Sequence, residues 1–186
     1  LIIPAKNERE SLPLVLNDLD KLNCKITVSL KKEDFATIES IKDKNVNIFY
    51  QSGDGYGNSL SEAIKQCETK YFCIFNADGS FDHKDLSKMY DLINYHDFVF
   101  TSRYMSGGGS DDDTIVTFFG NKLFSKLGNI FFSLKINDIL YTYITGRTEA
   151  FKKLNLKSDD FRFCVELPIK MSIAKMKYSS IPSFEN

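Results

Sequence analysis

Cysteine is sparse and scattered in this chain. Its four cysteines, Cys24, Cys67, Cys73 and Cys164, form no C-x-x-C pair and show no metal-ligand spacing, which sets aside a cysteine metal site and points to a reduced, cytosolic compartment. An excess of basic charge is also missing. Lys and Arg number 24 against 25 Asp and Glu, for a formal net charge of −1, so nucleic acid is not an expected partner. No run of about 18 apolar residues is present that could span a membrane, and there is no signal peptide. Neither an internal repeat nor a composition break divides the sequence. With 186 residues, 42% hydrophobic and 26% charged, the chain reads as one domain, 1–186, able to bury a substantial core. Leu1-Ile2-Ile3-Pro4 reads as a strand with no initiator Met before it. The expectation is therefore that a few residues precede it and that the chain continues at its C-terminus.

What is present is an alternation of short apolar runs with helix-period segments. Strands are expected at 1–3, 26–30, 46–50, 71–75 and 98–101, with a last short one at 178–181. Between them, Leu12, Val15, Leu16, Leu19 and Leu22 recur at helical spacing, as do Leu60, Ala63, Ile64 and Cys67, and then Leu86, Met89, Tyr90 and Ile93. Residues 35–41 form a weaker helix. Ser11 is a candidate N-cap with Pro13 tolerated in the first turn, and Ser59 with Glu62 has capping-box spacing. Cys73 sits inside an apolar run where a small buried thiol fits. Strands and helices in this order imply right-handed βαβ units and a mostly parallel α/β sheet flanked by helices. Ligands of such sheets gather at the carboxyl ends of the strands, which selects residues 4–8, 31–34, 51–57, 76–80 and 102–104.

The second half is less regular. Residues 106–113 (SGGGSDDD) read either as a lid or as polar loop sequence. Residues 114–134 are strongly helical and rich in Phe. Ile115, Phe119, Leu123, Leu127, Ile130, Phe131 and Leu134 mark one face, expected to pack as core. The alternative is a helix lying on a bilayer surface with Lys122, Lys126 and Lys135 near head groups. Residues 136–151 mix strand and turn character, and 161–177 hold one or two helices.

The segment Asn76-Ala77-Asp78-Gly79-Ser80 carries the most chemistry. An apolar strand stops and at once presents an amide, a small residue, a carboxylate and a glycine. Such a turn can hold a hard divalent cation through oxygen, since Mg²⁺ often uses one or two carboxylates plus substrate phosphates. A plain Asp-Gly turn remains the alternative.

Five segments in order, Pro4-Ala5-Lys6-Asn7-Glu8, Gly53-Asp54-Gly55-Tyr56-Gly57, Asn76-Ala77-Asp78, Ser102-Arg103-Tyr104 and the glycine loop with Gly107 and Gly108, resemble family 2 glycosyltransferases of the GT-A fold. The branch that includes dolichol-phosphate mannose synthase and polyprenyl-phosphate sugar transferases is the most similar. The resemblance implies an inverting enzyme moving a sugar from a nucleoside-diphosphate sugar to a polyprenyl-phosphate or glycan acceptor, assisted by Mg²⁺ or Mn²⁺, in the cytoplasm or at the inner face of a membrane. It implies a donor site of Pro4, Asn7, Glu8, Gly55, Gly57, Asn76, Asp78, Ser102 and Arg103. Asn76 and Asp78 would be at the metal, Arg103 would face the diphosphate, and Asp138 the acceptor side. Asp138 and Glu166 are the candidate bases for a hydroxyl acceptor, whereas a lipid phosphate needs none. Capping, pairing or solvation are the ordinary alternatives for these three charged residues.

Three departures stand against the family pattern. Asn76 replaces the usual first Asp, Val28-Ser29-Leu30-Lys31-Lys32 stands where paired Asp residues are common, and Thr142-Tyr143-Ile144-Thr145-Gly146-Arg147 matches only loosely a Ser-Gly-Phe-Arg stretch. A catalytically degenerate nucleotide-sugar-binding module and a nucleotidyltransferase are the competing readings. The second would carry a basic glycine-rich loop after the first strand, which is absent.

Overall fold

The computed structural model describes residues 1–111 and 113–185, with the main chain alone for Ile115. In chain order its elements are β1 (Ile2–Pro4), α1 (Leu12–Leu19), β2 (Thr27–Leu30), α2 (Phe35–Ser40), β3 (Asn47–Tyr50), α3 (Tyr56–Lys65), β4 (Tyr71–Cys73) and α4 (Asp85–Ile93). The second half follows with β5 (Phe98–Ser102), β6 (Gly109–Ser110), α5 (Ile115–Phe132), β7 (Ile144–Arg147), α6 (Thr148–Leu154), α7 (Phe163–Ile173), β8 (Tyr178–Pro182) and β9 (Phe184–Glu185).

β1, β2 and β3 pair in parallel, with Ile3 opposite Val28 and Val28 opposite Ile48. A parallel bridge between Ile2 and Ile74, with Phe75 N–H donating to Ile2 O at 3.0 Å, joins this ladder to β4. The combined spatial order is β3-β2-β1-β4-β7-β5-β8, in which β7 alone runs antiparallel to both neighbours. The mostly parallel sheet anticipated from the sequence is present, with β7 inserted into it. β7 was unclear in the sequence because Gly146 interrupts it and reads as a turn. A Cβ at Gly146 would lie 2.6 Å from the Phe72 ring and 2.8 Å from that of Phe98; the glycine lets two aromatic neighbours close over the strand.

Successive strand residues supply opposite faces, so the apolar runs feed two cores. Ile3, Val28, Cys73, Phe75 and Val99 pack with α1 and with Met89 and Ile93 of α4. Ile2, Phe72, Ile74, Phe98 and Phe100 pack with Leu60 and Ile64 of α3, Phe151 of α6, and Phe163, Leu167 and Met171 of α7. All four cysteines are free thiols, Cys73 and Cys164 buried.

Three local expectations are corrected. Ser11 does occupy the N-cap of α1, but its hydroxyl donates to Glu8 rather than accepting from the helix. α3 begins at Tyr56, so Ser59 lies inside it, bonded to Ser29 at 2.7 Å, and Glu62 accepts from Ser52 N–H at 2.7 Å. The third correction concerns α5, whose Phe and Leu face was expected to pack inward. Phe119, Leu123, Phe124, Leu127, Ile130 and Phe131 are exposed, Phe131 at 73%. The inward side is instead Asn121, Ser125, Gly128 and Asn129, at helical spacing. Ser125 accepts from Ile139 N–H at 3.0 Å, Asn129 bonds both Ile136 main-chain groups, and Gly128 leaves room for the Ile139 side chain. Small and polar side chains face inward because the irregular segment after the helix has main-chain groups that need partners.

Candidate active site

Parallel pairing puts the carboxyl ends of β1–β4 along one edge, where they enclose a cavity of about 620 Å³. After β1 it is lined by Pro4, Ala5, Lys6 and Glu8, and after β2 by Lys31 and Asp34. Gln51, Asp54 and Gly55 follow β3, and Asn76, Ala77 and Asp78 follow β4. Tyr56, Ser59, Leu140, Thr142, Phe161 and Cys164 complete the wall. A second cavity of about 630 Å³ lies along β8 and the loops beside it, lined by His96, Met105, Lys135, Asn137 and residues 176–180. Its lining has no carboxylate.

The loops around the first cavity are held by their own side chains. Asn7 adopts a left-handed backbone (φ 60°), which Asn tolerates better than most residues. Its N–H donates to Asp34 Oδ2 at 2.8 Å, while Glu8 N–H donates to Thr37 Oγ1 at 3.0 Å. Asp34 also caps α2, so one carboxylate fastens the β1 loop to the β2 loop. After β4, Asn76 Nδ2 donates to Ser80 Oγ at 3.1 Å, and Ser80 N–H donates to Asp78 Oδ1 at 2.9 Å. Gly79 takes φ 87° in this turn. Asn76 and Asp78 thus line one cavity with an amide oxygen and a carboxylate. That donor set suits a hard cation whose remaining ligands come from phosphate and water. Among the described residues no group of three or more His, Cys, Asp or Glu forms a self-sufficient metal cage.

Of the expected site residues, the fold gathers Pro4, Glu8, Gly55, Asn76 and Asp78 on this cavity and leaves others outside its wall. Ser102 is buried, accepting from Tyr104 N–H at 3.1 Å. Arg103, expected to face the diphosphate, is held elsewhere. Its Nε and Nη2 donate to the two Asp138 oxygens at 2.7 and 3.0 Å, its Nη1 to Glu185 at 2.9 Å, and the Tyr141 ring lies 4.7 Å from the guanidinium. Burial pulls the Asp138 carboxyl upward, Arg103 opposes it, and two short parallel N–H···O contacts mark the pair as charged. Both carboxylate oxygens of the proposed base are therefore occupied. Glu166, the other proposed base, accepts Lys157 N–H at 2.9 Å and Ser158 N–H at 2.7 Å, and pairs with Lys170 at 2.8 Å. Burial alone would raise its carboxyl, but Lys170 and those N–H groups hold it down at about 2, far from the range a general base needs.

The glycine segments have local work. Gly55 (φ 99°) and Gly57 seat the loop before α7: a Cβ at Gly55 would lie 2.2 Å from Asp159 O, and one at Gly57 2.4 Å from Ser158 O. Asn58 N–H donates to Asp159 O at 2.8 Å, so this loop satisfies a main-chain donor in the first turn of α3. Gly107 takes φ 93°, and Gly108 packs against the carbonyls of Ser102 and Ser183. β6 pairs with β9 and Ser110 donates to Glu185 at 2.8 Å, which pins the segment expected as a lid. Asp112 of that segment lies outside the described residues, as does the Ile115 side chain.

Residues 1–155 match the family model described as glycosyl transferase family 2. The chain belongs to glycosyl transferase family 2. It is 25% identical to glycosyltransferase AglJ of Haloferax volcanii over 98% of its own length and 61% of the relative's; it therefore spans about three-fifths of that protein. Its fold is that of solved GT-A structures. Glucosyl-3-phosphoglycerate synthase from Mycobacterium tuberculosis, in complex with Mn²⁺, UDP and glucosyl-3-phosphoglycerate, superposes with a TM-score of 0.73 at 9% identity, over 100% of this chain and 70% of that one. Mannosyl-3-phosphoglycerate synthase from Rubrobacter xylanophilus gives 0.74 at 14% identity, over 100% and 65%.

In this family 2 chain, several cavity residues went unread in the sequence. Lys31 and Asp34 lay in a segment selected by the strand-end rule but carried no assigned role; Lys31 Nζ bridges to Asp54 at 3.0 Å across the β2 and β3 ends. Tyr56 bonds Thr142 Oγ1 at 2.7 Å and stacks on Phe161 with centroids 5.0 Å apart. Tyr56 shares the cavity wall with Asp78 and Cys164, and burial raises its phenol. No spacing rule connects Tyr56, Thr142 and Phe161; only the fold does.

Proposed function

We propose that residues 1–186 form the catalytic domain of an inverting glycosyltransferase, taking a sugar from a nucleoside-diphosphate sugar. The observation that carries this reading is one cavity at the strand ends, lined together by the Pro4–Glu8 segment, Lys31, Asp34 and the Asn76–Asp78 turn. The base and ribose would lie toward Asp34 and Lys31, and the diphosphate at Asp78. Mg²⁺ or Mn²⁺ held by Asp78 and the Asn76 amide oxygen would supply positive charge to a departing diphosphate, where negative charge builds. Lys6 lines the same cavity and would add a compact cation. A solved structure of the same fold, glucosyl-3-phosphoglycerate synthase from Mycobacterium tuberculosis, holds Mn²⁺ and UDP-glucose, which supports a divalent cation here.

The acceptor we propose is a polyprenyl phosphate, ahead of a glycan hydroxyl. A hydroxyl needs a base, whereas Asp138 and Glu166 both spend their oxygens on structural partners. A lipid phosphate arrives already anionic. α5 supports the same reading: it exposes Phe119, Leu123, Phe124, Ile130 and Phe131, carries Lys122 and Lys126, and its 18 residues hold no Asp or Glu. Such a helix suits peripheral contact with an anionic bilayer on its cytoplasmic face, and no helix among the described residues is long and apolar enough to cross one.

The test is a thermal-shift screen of GDP-, UDP-, CDP- and dTDP-sugars with and without Mn²⁺. Metal-dependent stabilisation by one donor is expected. An Asp78→Ala protein that kept the full metal-dependent shift would sink the reading.

A further inference from the structure

The loop between α6 and α7 is held from two sides. Glu166 takes its Lys157 and Ser158 N–H groups, and the Gly55 and Gly57 positions receive its carbonyls at a distance that no Cβ would allow. Such fastening fixes the next residue, Phe161. Its ring lies nearly parallel to that of Tyr56, with an interplanar angle of 15°, and lines the cavity, yet the residue is 72% exposed. An aromatic ring backed on one side by a second ring, and open on a cavity wall, offers a free π face to a ligand.

We infer that Phe161, backed by Tyr56, is the platform on which the pyranose ring of the donor stacks during transfer. This rests on the nucleotide-sugar reading above. Lys31, Asp34, Asp78, Tyr56 and Phe161 line one cavity. A donor whose diphosphate sits at Asp78 and whose base lies toward β2 leaves its sugar to the part of the wall that those groups do not occupy, which includes Phe161. The C–H face of a pyranose is weakly positive and complements the negative face of a phenyl ring. The Tyr56 hydroxyl, bonded to Thr142, locks the lower ring of the stack so that little side-chain freedom is lost on binding. Glu166 is then a positioning residue for Phe161.

The experiment is calorimetric titration of the 186-residue chain in MnCl₂ with two matched pairs, UDP against UDP-glucose and GDP against GDP-mannose. It compares wild type, Phe161→Ala, Phe161→Leu and Phe161→Tyr. The quantity read is the affinity for the sugar form relative to the bare nucleotide. Phe161→Ala and Phe161→Leu are expected to lower that ratio about five- to tenfold, Phe161→Tyr to keep it, and all variants to keep wild-type affinity for the bare nucleotide. Phe161 is exposed, so its truncation removes only its stacking contact with Tyr56 and leaves the chain folded. A ratio unaltered by Phe161→Ala, or an equal loss for nucleotide and nucleotide sugar, overturns the platform. A wild-type chain that binds neither these pairs nor the matched CDP- and dTDP-sugar pairs overturns the donor reading itself.

Discussion

Arg103 and Asp138 lie 35 residues apart in sequence and meet through two parallel hydrogen bonds, with Asp138 wholly buried and Glu185 closing the third side of the guanidinium. Removing one partner strands a charge in the interior. Asp138→Ala is expected to cost about 3–5 kcal/mol in urea unfolding. Arg103→Lys would also be damaging, because an ammonium cannot reproduce the fork. If the pair is structural, folded Arg103→Lys still shows the full donor-induced thermal shift. A lost shift at wild-type stability would return Arg103 to the diphosphate.

At the β4 turn, the family pattern has a carboxylate where this chain has Asn76. Adding one would restore charge to the proposed cation site, and Asn76→Asp would still bond Ser80, now as acceptor from its hydroxyl. The variant is expected to bind Mn²⁺ roughly tenfold more tightly in the presence of donor, read by titration calorimetry. Unchanged or weaker Mn²⁺ binding would show that position 76 does not face the cation.

How much of this was readable in advance varies by residue. The strands were legible because runs such as Phe72-Cys73-Ile74-Phe75 feed both faces of a covered sheet, and the cavity loops followed from where those strands end. β7 was obscured by Gly146, whose purpose is to let Phe72 and Phe98 approach. α5 was legible as a helix but its orientation was not. Hydrophobic periodicity identifies the apolar face, yet here the tertiary structure uses the polar one for hydrogen bonds to residues 136–139. The roles of Arg103, Asp138 and Glu166 depend on partners distant in sequence or on main-chain N–H groups, which residue type does not reveal.

Glu166 gives a pH signature. Its carboxyl is held at about 2 against an ordinary 4.5, so the folded state binds its proton less readily than the unfolded chain. The stabilisation is therefore complete above about pH 4.5 and is lost as pH falls toward 2. Glu166→Gln keeps the shape without the titration. Wild type should exceed it by on the order of 2–3 kcal/mol at neutral pH, with the difference vanishing near pH 2. Urea titrations at several pH values would measure this, and a constant gap across that range would refute it.

Gly57 should tolerate no side chain. A Cβ there meets Ser158 O at 2.4 Å and Asp160 O at 2.7 Å, contacts that only main-chain movement can relieve. Gly57→Ala is expected to cost about 1–3 kcal/mol and to free the loop that carries Phe161. Faster amide exchange at residues 157–161, with β1 and β2 unchanged, is the readout. Gly120, which has open space around its Cβ position, is the control: Gly120→Ala should be neutral or slightly stabilising.

The outward face of α5 makes the last prediction. Val116, Phe119, Leu123, Phe124, Leu127, Ile130, Phe131 and Phe132 are exposed on this helix beside Lys122 and Lys126, a combination that adds apolar burial to attraction for anionic head groups. The chain should co-float with vesicles containing phosphatidylglycerol and much less with neutral ones. Phe119→Ser with Phe131→Ser removes two exposed rings and should abolish flotation without lowering stability, since neither ring is buried in the fold. Lys122→Glu with Lys126→Glu should abolish it on anionic vesicles alone. If the chain stays at the bottom of the gradient under every lipid composition, the face serves another surface, and the preference for a lipid-phosphate acceptor rests on the occupied carboxylates of Asp138 and Glu166 alone.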